Sequence, residues 1–366
     1  MNDVLLISNR RLDENVGRSE KFRTRVRLLE ERGWNVTVGY VEKTTILGIV
    51  PNAIRLARLA HREDIDIINS VSSPFHLQLI GYLVSLLTSC PWLAEFRDPL
   101  ITNPNVDPNS LPWYFRRAVE RLIITKSDKV VWFDGIQLPE DYFTTRYSTN
   151  VSKKCEKLPF MGFEREQLEP IDANKKDEFT ITYAGSFYSG WIEPYSFLQG
   201  VAIYAERYDT NDFKIQFFGD WADEYSEFAA YLGIDHLIDP HGYISHEKVI
   251  AELKGSDIVV HIGGSKPRNR LNIPSKLWDY IGVQKPILAV VDPSFRVAKL
   301  IHDNEIGIIA PPNSPDSTAK ALEKLHSDEF QYNTDIASES RFSREQTVNE
   351  FARVLDELHE NKNLVD

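Results

Sequence analysis

The run Asn272-Ile273-Pro274-Ser275-Lys276-Leu277-Trp278-Asp279-Tyr280, followed by Lys285-Pro286-Ile287-Leu288-Ala289, gathers residue types that can hold a phosphorylated ligand. Pro274 and Ser275 suit the first positions of a helix, whose unpaired backbone N–H groups and dipole favour an anion, and Lys276 adds a full positive charge beside them. Asp279 falls about one turn deeper on nearly the same face, where a carboxylate accepts hydrogen bonds from a ribose diol. A diphosphate and a ribose together describe a nucleotide sugar. Taken alone, the stretch also reads as an ordinary capped helix with surface charges, so the elements around it decide.

Those elements alternate. An apolar run at 4–8 is followed by a polar loop through Gly17, a helical pattern around Phe22, Val26, Leu28 and Leu29, and a second strand at 35–40. The syntax repeats with strands at 65–68, 92–96 and 129–133 and helices at 75–88 and near 112–125, the sign of a parallel sheet built from β-α-β units. Residues 166–178 read as an exposed linker. After it, strands at 179–184, 213–218, 258–262 and 287–291 alternate with helices, and a last helix follows a capping box from Ser343 to Gln346. The expected fold class is α/β, two tandem Rossmann-like doubly wound domains facing across a cleft. Their expected limits are 1–165 and 179–341, with a C-terminal helix at 342–366 packing back on the first domain. Ligands in open parallel sheets bind beyond the carboxyl ends of strands, which singles out the loops at Gly17, Arg97-Asp98, Gly185-Ser186, Gly219, Gly242 and 263–276.

At this level the chain resembles a GT-B glycosyltransferase of family 4 (glycosyl transferases group 1) over nearly its whole length. Pro91-Trp92-Leu93-Ala94-Glu95-Phe96-Arg97-Asp98-Pro99 is similar to the strand-and-loop motif of the acceptor domain. Thr182-Tyr183-Ala184-Gly185-Ser186-Phe187-Tyr188 is similar to the strand that opens the donor domain, and Gly242-Tyr243-Ile244-Ser245-His246 to its later glycine loop. The stretch from Ile273 to Tyr280 with Lys285-Pro286 is similar to the donor-binding signature. The resemblance implies a retaining, nucleotide-sugar-dependent transferase in which the acceptor attacks on the same face as the departing diphosphate. It implies catalytic roles for Asp98, Arg97 and Lys276. It also implies donor contacts from Gly185, Ser186, Gly219, Tyr243, Ile244, Arg270, Ser275, Lys276 and Asp279, and acceptor contacts from Gly17 and Arg18.

Two positions depart from that pattern. Members often carry two glutamates separated by seven residues; here the later position is Asp279 and the earlier, eight residues before it, is Leu271. The glycine loop often carries an Arg or Lys beside the diphosphate, whereas this chain has Ser186, Ser189 and Trp191, leaving Lys266, Arg268 and Arg270 as replacements. Two rivals stay in play: a nucleotide-sugar epimerase on the same fold, and a non-catalytic sugar-nucleotide-binding subunit, the latter suggested by Leu271 and the uncharged loop at 185–191.

Composition bounds the rest. The 366 residues exceed what one core holds. A net charge of −12 argues against a nucleic-acid partner, and Cys90 and Cys155 give neither a disulfide framework nor a metal-ligand spacing. Asp64-Ile65-Asp66 matches an Asp-x-Asp metal motif but leads straight into a strand, and His61, His76, His246 and His261 are not spaced as ligands, so no metal or other cofactor is expected. The apolar stretch from Leu77 to Leu87, interrupted by Gln78, is too short to span a bilayer and reads as a buried helix. The basic residues of the first 62, with the amphipathic segment 46–60, suit a peripheral contact with an anionic membrane that presents a lipid-linked acceptor. A cytoplasmic setting is expected.

Overall fold

The computed structural model describes residues 2–12, 17–42, 45–72, 74–102, 106–136, 138–208, 210, 212–264, 266–327 and 329–363. Residues 1–161 with 344–366 form one compact unit and 162–343 the other.

The continuous apolar runs become strands buried on both faces, as parallel sheets covered by helices require. In the first unit the strands are β1 (Asn2–Ser8), β2 (Trp34–Tyr40), β3 (Ile67–Ser72), β4 (Trp92–Phe96), β5 (Lys129–Phe133) and β6 (Cys155–Leu158). They pair in parallel in the order β2-β1-β3-β4-β5-β6. The helices are α1 (Gly17–Glu30), α2 (Ile49–Arg62), α3 (His76–Thr88), α4 (Leu111–Lys126), α5 (Tyr142–Arg146) and α6 (Thr149–Ser152). One face of the sheet packs on α2, α3 and α4 through Leu56, Ala60, Ile80, Val84 and Ile123. The other packs on α1 and on a helix from the end of the chain, numbered α14 below, through Phe22, Leu29, Phe351 and Leu355.

The second unit has α7 (Arg165–Leu168), then β7 (Phe179–Ala184), α8 (Tyr195–Tyr208), β8 (Phe213–Phe218), α9 (Asp223–Tyr231) and β9 (Ile238–Gly242). It continues with α10 (His246–Gly255), β10 (Ile258–Gly264), α11 (Lys276–Val283), β11 (Ile287–Val291), α12 (Arg296–Asp303), β12 (Gly307–Ala310) and α13 (Pro315–His326). Its six parallel strands run β12-β11-β10-β7-β8-β9. The chain thus winds outward from β7 through β8 and β9, then returns to β10 on β7's other side, which makes the β7/β10 junction the topological switch point. Both units are doubly wound α/β, the class expected from the sequence. The last helix, α14 (Arg344–Asn363), belongs to the first unit, where Trp34 Nε1 donates to Asp356 at 3.1 Å and the Arg25 guanidinium lies 3.9 Å over the Phe351 ring.

Residues 166–178, expected as an exposed linker, lie inside the second unit and are tied to α10. The Lys254 ammonium donates to the carbonyls of Leu168 and Ile171 at 2.6 and 2.7 Å, and the Asn174 N–H donates to the Ala251 carbonyl at 2.9 Å. The segment makes these bonds through its backbone, and most of its side chains stay exposed. The stretch from Leu77 to Leu87 falls in α3, with Leu77, Ile80 and Val84 buried, but its last turn leaves Leu86 and Leu87 60% and 53% exposed. Among the described residues no helix is long and apolar enough to cross a membrane.

Candidate functional site

At the switch point of the second unit the strands part. β10 meets β7 only at Ile258 with Ile181 and Val259 with Thr182. Beyond that, Tyr280 fills the gap: its hydroxyl accepts from the Ala184 N–H at 3.2 Å and donates to the Val260 carbonyl at 3.0 Å. A buried phenol thereby stands in for the missing ladder bonds and fixes α11 against both strand ends.

Three glycine loops meet at this edge. Gly185 and Gly219 hold φ of +146° and +126°, and a Cβ on Gly219 would stand 2.2 Å from the Gly185 carbonyl oxygen. Only glycine allows that approach. The Gly185 N–H donates to the Phe218 carbonyl and the Gly219 N–H to the Gly242 carbonyl, each at 2.8 Å. Tyr243, 70% exposed, joins the loops from outside: its hydroxyl donates to Asp220 at 2.6 Å and meets the Ser186 hydroxyl at 2.8 Å. Ile244 is partly buried beside it.

Lys276 opens α11 and reaches into this loop cluster. Its ammonium lies 3.8 Å from the centre of the Tyr183 ring and would stand 3.2 Å from a Cβ on Gly185. No carboxylate pairs with it among the described residues, and burial lowers its pKa to about 7. A cation held over an aromatic face, beside a glycine loop and a helix N-terminus, is set to receive an anion. Ser275 precedes it in helical conformation. Asp279 lies one turn on, its Oδ2 3.3 Å from Nε2 of His246 in α10. His261 of β10 is buried with both ring nitrogens unpartnered, its pKa brought down to about 3 by burial and then by the Lys276 charge. Arg270 is exposed before α11, its carbonyl accepting from the Arg296 N–H at 2.9 Å.

In the first unit, Arg97 and Asp98 follow β4, as the motif suggested, but they do not pair with each other. Arg97 Nε donates to Glu95 Oε1 at 2.7 Å, and Arg25 Nη1 donates to Glu95 Oε2 at 2.7 Å. Burial alone would raise the Glu95 pKa; the two guanidinium charges outweigh it and hold the carboxyl below its ordinary range. Asp98 is left exposed. Behind β4, Gln78 donates to the Glu95 carbonyl at 2.8 Å and accepts from Ser70 Oγ at 2.7 Å, which in turn accepts from Trp92 Nε1 at 2.7 Å. Arg25 and Arg97 line a cavity of about 30 Å³ together with Lys21, Phe133 and Phe351. Gly17 opens α1; the side chains of Arg18 and Arg268 lie outside the described residues.

The geometry therefore gathers Gly185, Ser186, Gly219, Tyr243, Lys276 and Asp279 in the second unit, and Arg97 with Asp98 in the first. Sequence reasoning gave no individual role to Arg25, Glu95, His246, His261 and Tyr280. Glu95 and His261, polar residues inside otherwise apolar strands, carried a usable signal; Arg25 and Tyr280 carried none. Asp64-Ile65-Asp66 is structural: Asp66 Oδ2 accepts from the Asp3 N–H at 3.0 Å. Among the described residues no group of three or more His, Cys, Asp or Glu is arranged to hold a metal ion.

The sequence profile of glycosyl transferases group 1 matches residues 165–362. A comparison with curated proteins found no match. Among solved structures, the chain is similar to sucrose-phosphate synthase from Thermosynechococcus elongatus, at 13% identity and TM-score 0.65 over 100% of both chains. It is similar to Anabaena HepE in complex with UDP, at 13% identity and TM-score 0.66 over 98% of this chain and 100% of that one. It is also similar to UDP-GlcNAc 2-epimerase from Methanocaldococcus jannaschii, at 10% identity and TM-score 0.56 over 97% and 99%. At these identities the likeness is one of fold.

Proposed function

Because the chain belongs to the glycosyl transferases group 1 family, we propose that it moves a sugar from a nucleotide-sugar donor to a glycan or lipid-linked acceptor, with retention at the anomeric carbon and without a metal. The observation that carries this reading is Lys276: a cation at the start of α11, against Gly185, with no carboxylate partner among the described residues. In the proposed reaction the bond from the anomeric carbon to the diphosphate breaks while positive charge builds on the sugar. Lys276, the first N–H groups of α11 and Arg270 take up the negative charge developing on the leaving phosphate, the contribution that usually dominates such a barrier. Asp279 accepts from the ribose hydroxyls, and Gly185, Ser186, Gly219, Tyr243, Ile244 and Ser275 shape the donor site. The acceptor oxygen attacks on the face the diphosphate leaves, and its hydroxyl proton passes to the departing phosphate oxygen. Asp98 orients its hydroxyl, Arg97 is held ready by Glu95, and Gly17 and Arg18 complete the acceptor side.

The setting we propose is polysaccharide or glycoconjugate assembly in the cytoplasm, with peripheral contact to an anionic membrane. The UDP in the structure of Anabaena HepE is consistent with a nucleotide donor. The test is thermal stabilisation by a panel of nucleoside diphosphates and nucleotide sugars, with and without EDTA, followed by NMR of the products. Stabilisation by one nucleotide series that chelation leaves unchanged, and diphosphate release that requires an acceptor, are expected. An epimerised donor formed without acceptor would identify an epimerase, binding without turnover a non-catalytic subunit, and no stabilisation by any nucleotide would end the nucleotide-sugar reading.

A further inference from the structure

Three neighbouring helices of the first unit form a face unlike the rest of the chain. The 14 residues of α2 contain Arg55, Arg58 and Arg62 and no acid; the 13 residues of α3 contain no Asp, Glu, Lys or Arg. The 16 residues of α4 contain Arg116, Arg117, Arg121 and Lys126 against Glu120 alone. Glu120 is fully buried and accepts from the hydroxyls of Tyr142 and Tyr147, so it contributes nothing to the outer surface. The three helices carry seven cations and one carboxylate in a protein of net charge −12. Arg62 is matched by Glu63 at 2.8 Å; Arg55, Arg58, Arg117 and Arg121 are exposed.

The same face exposes large apolar groups. Leu47, in the turn leading into α2, is 90% exposed and Val50, in its first turn, 57%. Leu111, at the start of α4, is 85% exposed, with Tyr114 and Phe115 at 52% and 47%. All three helices pack on one side of the sheet, with α3 touching both α2 and α4. Phe75, just before α3, meets Phe115 at 5.8 Å and carries Arg116 over its ring at 5.7 Å, which ties the start of α4 to α3. An uncharged middle helix flanked by two cationic ones with exposed aliphatic and aromatic tips has the composition of a surface that lies in a bilayer interface.

We infer that the α2–α3–α4 face docks on a lipid surface bearing anionic headgroups, with Leu47, Val50 and Leu111 entering the apolar boundary and the arginines lying among the headgroups. The inference rests on the reading of a peripheral membrane contact and deepens it by assigning the surface. Charge complementarity selects the occupant: a neutral apolar partner would give the arginines no counter-charge.

The experiment is co-sedimentation of the full chain with vesicles of phosphatidylcholine alone and of phosphatidylcholine mixed with phosphatidylglycerol. Two double variants are compared at exposed positions, Leu47→Glu with Val50→Glu and Arg117→Glu with Arg121→Glu. Binding to the mixed vesicles, release by salt and weak binding to the neutral ones are expected. Each cation lost near such a surface lowers the partition about fivefold, so the arginine variant should lose more than tenfold. The acidic pair at positions 47 and 50 should lose binding comparably, with the thermal midpoint of both proteins unchanged. Salt-sensitive vesicle binding that neither variant weakens would overturn the assignment of this face while leaving a membrane contact elsewhere. No vesicle binding at all would remove both, and concentration-dependent self-association abolished by the same variants would show that the face seats a second copy instead. None of these readouts depends on donor turnover.

Discussion

Lys276→Met should make the unliganded protein more stable and the nucleotide complex weaker, two effects of opposite sign from one charge. In the free protein burial brings the ammonium pKa from 10.5 to about 7, which corresponds to an upper bound of about 5 kcal/mol against the folded, charged form. The Lys276 side chain as a whole keeps part of its surface exposed, and screening by the water there reduces the figure to roughly 1–3 kcal/mol. Because the folded pKa lies below the unfolded one, the unfolded chain binds the extra proton between those values. Wild-type stability is therefore depressed below about pH 7 and recovers as pH rises towards 10.5. Methionine removes that penalty, so at about pH 6 the variant should melt higher by about 2–4 °C per kcal/mol, with the gain shrinking at pH 9. Binding runs the other way. A bound diphosphate supplies the missing counter-charge, and losing that charged hydrogen bond costs about 1.5–3 kcal/mol at about pH 6. Near pH 9 the wild type must first protonate the lysine, about 2.7 kcal/mol from a pKa of about 7, so the two proteins should bind almost equally. Titration of the diphosphate itself cancels in the ratio. Calorimetry at several pH values gives the ratio of dissociation constants; a ratio near one at low pH, or one that does not change with pH, would refute the reasoning.

Gly219→Ala forces a Cβ against the Gly185 carbonyl at a φ of +126° and should cost about 2 kcal/mol or more in urea unfolding. Gly33→Ala, at φ +87° with open space around it, should cost only about 1 kcal/mol. Glu95→Gln strands Arg25 in the core and should cost about 3–5 kcal/mol at neutral pH. The Glu95 carboxyl titrates below its ordinary range, so this difference should persist above that range and fade as pH falls through the lowered value, read from denaturant midpoints. Tyr280→Phe removes the hydroxyl joining Ala184 to Val260 and should cost about 1–3 kcal/mol, with a weaker thermal shift on adding nucleoside diphosphate.

How much of this was legible depends on how local the cause is. β7 and β11 were readable residue for residue because a short run of apolar, aromatic and β-branched residues, ending at Gly185 in one and starting after Pro286 in the other, admits little but a buried strand. Lys276 and Asp279 were readable because helix spacing places them without reference to anything distant. The segment at 166–178 shows the limit: its residues are mostly exposed, as their polarity suggested, but its attachment to the second unit depends on Lys254, 86 residues beyond Leu168. Arg25 pairs with a residue 70 positions away, and Tyr280 bridges to one 96 positions back, so neither role leaves a mark in its own neighbourhood. The exposure of Leu86 and Leu87 was hidden for the same reason, since periodicity gives a helix an inner face but does not say where its neighbours stop.

The Arg97-Asp98 pair illustrates what the long-range contacts change chemically. Adjacency puts the two within reach of each other, and an ion pair between them would have neutralised the carboxylate that follows β4. Glu95 alters that balance. Lying two residues before Arg97, inside β4, it takes Arg97 from one side and Arg25 from the other, and its own backbone carbonyl accepts from Gln78. Two cations and one buried carboxylate leave a net positive cluster inside, and Asp98 remains exposed just beyond it with no claim on its charge from Arg97. That separation of Asp98 from Arg97 follows from a glutamate whose only signal was being the one charge in a five-residue buried strand.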